Sequence, residues 1–172
     1  MKKFTNIGVL LLICFVSHAQ TIRKYFIGNS GCTAYIYCDP GNFEASFNED
    51  SSLVYSAECV AGGTTFGLIT IKLSAAAGSL HNAEGSLINY LDLLKKTFEI
   101  KEAVGYEKGH RLNNDKNTRS AIDYWTGSDG QKWKVKGWTD GKFIAVLYVK
   151  GNIEVEKFKK DLFLNSFRFQ GM

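Results

Sequence analysis

The sequence predicts an α+β fold: a twisted antiparallel sheet flanked by two main helices, in an α/β/α sandwich. Three patterns predict it. Alternating apolar segments with turn residues between them lie on both sides of one long helical stripe. A second, shorter helical stripe comes near the end. No Gly/Pro/Ser-rich tract or repeat divides the chain between them, so residues 20–172 are expected to form a single domain.

In the first third, Cys32 and Cys38 bracket Thr33-Ala34-Tyr35-Ile36-Tyr37, a strand pattern. Residues 43–47 alternate, and Asn48-Glu49-Asp50-Ser51-Ser52 is a turn cluster. Residues 53–59 alternate again, with Leu53, Tyr55, Ala57 and Cys59 on one face. Gly62-Gly63 breaks the run before a β-branched strand over 64–73. This third therefore reads as an antiparallel meander.

The helix follows: Leu80, Ala83, Leu87, Tyr90, Leu91, Leu94 and Phe98 recur at three- and four-residue spacing. Ser79 or Asn82 caps its start, and Lys95 and Lys96 suit its C-terminal dipole. A strand over 105–112 and a polar loop over 113–119 are expected next. Three strands follow, at 121–126, 132–139 and 142–149. A helix over 152–163 has Asn152 as cap and Val155, Phe158 and Leu162 as its stripe, and 167–169 forms a short closing strand.

Asp140-Gly141 is a two-residue type I′ signal, and loop length sets register. It pairs Trp138 with Phe143, Val135 with Val146 and Trp133 with Tyr148. The four-residue turn Gly127-Ser128-Asp129-Gly130 pairs Trp125 with Lys132, Tyr124 with Trp133 and Asp123 with Lys134. One face then carries Tyr124, Trp133, Tyr148, Val135, Val146 and Ile144, and is expected to be core. The other carries Trp125, Lys132, Lys134, Lys136 and Trp138. Lysines interleaved with aromatic rings can bind an anionic or glycan ligand, so these five residues are the candidate binding surface. The plain alternative is a solvated face, or one whose lysine stems lie along a packed helix.

The N-terminus indicates compartment. Met1-Lys2-Lys3 is followed by an apolar run of about ten residues and by Ser17-His18-Ala19, the layout of a secretory signal peptide over 1–19. A membrane-spanning helix needs roughly 20 residues, so the run is read as cleaved. Cys14, preceded by Ile13, is read as part of the apolar run, not as a lipid-attachment site. The expected location is periplasmic or extracellular. Removing Lys2 and Lys3, with no acid, lowers the net charge from +4 to +2. So small an excess does not call for nucleic acid or an anionic membrane as partner. With 13% aromatic residues and one proline, disorder is disfavoured.

Three cysteines remain after cleavage. Cys32 and Cys38 are separated by a strand of about 20 Å, against a limit of roughly 7 Å between bridged Cα atoms. Cys38 and Cys59 are the pair a hairpin can bring together; the alternative is three reduced thiols. No metal-ligand spacing is present, and no metal or cofactor is expected.

The element order, with the closing Phe163-Leu164-Asn165-Ser166-Phe167-Arg168-Phe169, resembles the PsbP-like fold family. Bacterial members of that family often end in a phenylalanine, a short gap and Ser-Phe-Arg, matched here at Phe163, Ser166, Phe167 and Arg168. The resemblance implies a twisted antiparallel sheet with helices on its faces and mostly non-catalytic roles. One departure is that Pro40 follows Asp39 where the family has an aromatic residue. Gly105-Tyr106, Gly109-His110, Asp123-Tyr124-Trp125 and Lys136-Gly137-Trp138 also resemble small secreted proteins of unknown role.

The expected function is that of an exported, non-enzymatic binding or accessory protein of the cell envelope, with an envelope protein or glycan as partner. The alternative is a small secreted hydrolase using His110 as general base with Asp123, although Glu107 could also serve as the orienting carboxylate. His81, near the helix start, reads as a surface or cap residue. No serine elbow, phosphate loop or calcium loop is present in the sequence.

Overall fold

The computed structural model describes residues 21–48, 50–74, 82–151 and 157–172. The signal peptide, Ser79 and His81 near the first helix, and Asn152 and Val155 of the second lie outside the described residues. The fold is α+β. Its elements, in order, are β1 (Arg23–Phe26), β2 (Thr33–Ile36), β3 (Glu44–Phe47), β4 (Leu53–Ala61), β5 (Thr64–Lys72), α1 (Ala83–Thr97), β6 (Ile100–Ala103), β7 (Glu107–Lys108), β8 (Arg119–Gly127), β9 (Lys132–Thr139), β10 (Phe143–Gly151) and α2 (Lys157–Leu164). Among the described residues no helix is long and apolar enough to cross a membrane.

β1 and β2 form a separate hairpin. The other eight strands make one open antiparallel sheet in the order β3-β4-β5-β10-β9-β8-β6, with β7 also pairing to β8. The meander β3-β4-β5 turns at Gly62 and Gly63, both at positive φ, where only glycine is free of a Cβ penalty. Its inward face carries Tyr55 and Cys59, as the alternation predicts.

Both faces of the sheet are covered. α1 lies on one, where Leu87, Leu91 and Leu94 pack against Trp125, Trp133, Val135, Ile144, Val146 and Tyr148. On the other, α2 and the β1–β2 hairpin pack with Phe163, Phe167 and Phe169 over Leu68, Trp138, Ala145 and Leu147. The C-terminal segment ties the hairpin down. Ser166 Oγ accepts from Tyr35 N–H and donates to Tyr35 C=O, and Thr33 and Arg168 exchange backbone hydrogen bonds of 3.0 and 2.7 Å. That bridge is what stands at the short strand expected over 167–169.

Several expectations need correction. Asn82 occupies the N-cap of α1, but its side chain makes no cap hydrogen bond. The strand expected over 105–112 is only Glu107–Lys108, followed by a 3-10 turn at Leu112–Asn114. β6 had no counterpart in the sequence reading; it continues straight from α1 after Glu99, which takes positive φ. In α2 the expected inward stripe is reversed. Phe158 is 72% exposed and Leu162 38%, whereas Phe163 and Leu164 are buried.

The two hairpin registers also differ, with opposite consequences. The β9–β10 turn contains four residues, not two, because Asp140 Oδ1 accepts from the N–H groups of Lys142 and Phe143 and Thr139 Oγ1 donates to Phe143 C=O. Trp138 therefore faces Ala145, and Val135 faces Tyr148. A two-residue slip keeps each side chain on its face. The β8–β9 turn contains three residues, closed by Gly127 N–H to Gln131 C=O with Gly130 at φ +77°. Trp125 now faces Trp133, Tyr124 faces Lys134 and Asp123 faces Val135. This one-residue slip inverts the whole of β8.

Candidate functional site

The inversion of β8 and the packing of α2 together break up the expected binding surface. Trp125 lies beneath α1 and Trp138 beneath α2, on opposite faces of the sheet, each 1% exposed. Each indole N–H is satisfied internally: Trp125 Nε1 donates to Asp123 Oδ2 at 2.8 Å, and Trp138 Nε1 to the Leu164 carbonyl at 2.9 Å. The latter bond occupies a carbonyl that the end of α2 would leave open. Neither tryptophan is available for stacking with a ligand.

Lys136 is buried with Trp138. Its Nζ donates to Asn165 Oδ1 at 2.6 Å and lies 4.3 Å from the Trp138 ring centroid. Burial, with the like charge of Lys134 adding to it, lowers its pKa to about 8. Lys136 is thus part of the core and not of a wet face.

His110 and Asp123 do not form the pair that a hydrolase would require. Asp123 is enclosed, and its carboxylate accepts from Gly105 N–H (2.9 Å), Tyr124 N–H (2.8 Å) and Trp125 Nε1, with Lys95 Nζ 2.9 Å from Oδ2. Burial alone would raise its pKa, but these donors, led by Lys95, hold it below the usual carboxylate value. With four donors in place, the carboxylate has no acceptor site left to orient an imidazole. His110 is exposed and has Glu107 Oε1 at 3.4 Å from its Nε2.

Lys132 and Lys134 project from the α2 side of β9 into a cleft of about 160 Å³. Tyr124 and Val149 come from neighbouring strands, Thr64 from the start of β5, and Lys160 from α2. Lys134 is paired with Asp161 at 2.7 Å and lies over the Tyr124 ring. Lys132 donates to Thr126 Oγ1 at 2.9 Å. Lys150 borders the cleft, but its ammonium goes toward Glu58 on the α1 side. Among the described residues, Lys132, Lys134 and Lys160 therefore meet one paired carboxylate, that of Asp161. The buried Thr64 Oγ1 has no hydrogen-bond partner, a cost that a bound acceptor would relieve.

Two larger hollows flank α1. One, of about 590 Å³, is bordered by Ser86, Tyr90, Leu93 and Ile71; the other, of about 450 Å³, by Glu44, Glu58, Phe98 and Tyr148. Asp50 of the first accepts from Ser52, and Tyr148 O–H of the second donates to Glu58. The basic cleft is smaller but carries uncompensated charge and an unmet hydroxyl, which makes it the better ligand site.

Of the five residues expected at a binding surface, the structure brings Lys132 and Lys134 together and leaves Trp125, Lys136 and Trp138 in the interior. The sequence reading missed Thr64 and Lys160. Nothing local in the sequence indicates that α2 carries Lys160 to the start of β9. Among the described residues the cysteines are accounted for: Cys38 and Cys59 are joined by a disulfide with Cα atoms 5.8 Å apart, and Cys32 is a buried thiol. No protein-family model matches the chain, and a search of curated proteins returns no significant relative.

Proposed function

We propose that this protein is an exported, non-enzymatic binding or accessory module of the cell envelope, periplasmic or extracellular, with a PsbP-like α/β/α sandwich as its architecture. It holds an anionic group (carboxylate, sulfate or phosphate ester) of a glycan or envelope partner in the cleft between β9 and α2. The observation that carries this reading is the charge imbalance there: Lys132, Lys134 and Lys160 against Asp161, beside the unpartnered Thr64 hydroxyl. An anion would be drawn by the field and could accept from Thr64.

Calorimetric titration of the exported form with a sulfated oligosaccharide tests it. Binding is expected to weaken with salt and to fall about tenfold or more in Lys132→Gln/Lys160→Gln, whose side chains make no ion pair with a carboxylate among the described residues. Equal binding by parent and variant, or binding that ignores desulfation of the probe, overturns the reading.

A further inference from the structure

We infer that the anion is presented by a lipid surface, with Phe158 and Leu162 of α2 entering the interface while the lysines around the cleft engage head groups; this rests on the basic-cleft reading above. Phe158 and Leu162 lie one turn apart on the same helix face, and both are exposed, Phe158 the more so. The fold does not need them there, because Phe163 and Leu164 anchor α2 to the sheet. Exposed Tyr124 is linked to α2 through Lys134, which contacts both the Tyr124 ring and Asp161.

An apolar tip ringed by cations is the arrangement an anionic membrane surface accepts. Lys157 is exposed next to Phe158, and Lys160 lines the cleft. A free anion would make no use of Phe158. A protein partner would need roughly 800 Å² of complementary surface, more than one phenylalanine and two partly exposed neighbours provide. The net charge of the chain without residues 1–19 is modest, but Lys132, Lys134 and Lys160 converge on this cleft.

The test is co-sedimentation of the exported form with phosphatidylcholine vesicles, with and without a minority of phosphatidylglycerol, beside the oligosaccharide titration. Sedimentation is expected only with the anionic vesicles. Phe158→Ser should weaken vesicle binding about tenfold and leave oligosaccharide affinity unchanged. Lys132→Gln/Lys160→Gln should weaken both. Absence of vesicle binding, equal binding to neutral vesicles, or full binding by Phe158→Ser overturns the lipid inference. If oligosaccharide binding persists in such a case, the basic-cleft reading survives; if it too is absent, both fall. Capture of an acidic protein without vesicle binding likewise rules out the lipid surface.

Discussion

Lys95 reaches from α1 into the sheet and places its Nζ 2.9 Å from Oδ2 of Asp123, a carboxylate with no solvent exposure. The same ammonium lies 4.1 Å from the Tyr106 ring centroid and 3.4 Å from Asp92, which accepts from Tyr106 O–H. One helix, one strand and the loop between β6 and β7 are thus joined through a single charge. Burial works against the charge of Lys95, but Tyr106 and Asp123 outweigh it and raise its pKa.

Lys95→Met should therefore cost about 3–5 kcal/mol near neutral pH, because it leaves a buried carboxylate without its counter-charge. The folded-state pKa of Asp123 lies below its unfolded value. Its contribution is complete above the unfolded pKa of about 4 and is lost as pH falls through the folded one. The gap between parent and variant should accordingly close in acid. Urea unfolding at neutral pH and at about pH 3 measures this; a gap of the same size at both would mean that Asp123 and Lys95 are not coupled.

Lys136 predicts a trend of the same sign at the alkaline end. Its folded pKa of about 8 lies below the unfolded value near 10.4, so between them the unfolded chain binds more protons and stability rises with pH. The gain is on the order of 2–3 kcal/mol and is absent in Lys136→Met. It must be read below about pH 10, where unfolded tyrosines begin to ionise. Burial raises the pKa of Tyr90 and Tyr106 to about 12 and that of Tyr148 as well, so above that pH their contribution is lost. A parent whose unfolding midpoint stays flat from about pH 7 to 9.5 would show Lys136 to be solvated in the folded state.

These two lysines also show what the sequence could and could not reveal. Alternation identified β4, β5, β9 and β10, and three-four spacing identified α1, because each buries a continuous face that leaves a periodic trace. What failed depended on one residue of loop length. Whether the β8–β9 turn holds three residues or four decides whether Trp125 or Tyr124 joins the core. Ser128-Asp129-Gly130 is compatible with either count until the αL residue at Gly130 is placed. The wet tryptophan face was a consequence of that slip together with the packing of α2, whose buried side is set by Phe163 and Leu164 and not by the 155/158/162 stripe. The basic cleft is assembled from β5, β9 and α2, segments distant in sequence, so no local motif carries it.

The disulfide between Cys38 and Cys59 closes a loop with a sequence separation of 21, and reducing it should cost about 3 kcal/mol by restoring freedom to the unfolded chain. Burial raises the Cys32 thiol, outweighing its hydrogen bond with Ser30, so it is neutral and shielded. Thiol titration of the chain over residues 20–172 should find no reactive group in the native protein, one after unfolding without reductant and three after reduction. Three thiols without reductant would mean the bridge does not form.

The Tyr148 ring lies directly over Gly67, its cross-strand partner on β5, in the space a Cβ would take. The ring also packs 5.2 Å from Trp133 and 5.6 Å from Phe98, centroid to centroid, and its hydroxyl donates to Glu58. It has little freedom to move aside. Gly67→Ala should cost about 1–3 kcal/mol through overpacking and alter the near-ultraviolet dichroism of Trp133. Because the clash needs the ring, the penalty should vanish in a Tyr148→Leu background, making the two substitutions strongly non-additive. Urea unfolding of the single and double variants decides it. If the double variant loses the sum of the two single effects, the glycine is required for some property of β5 other than the seat it gives Tyr148.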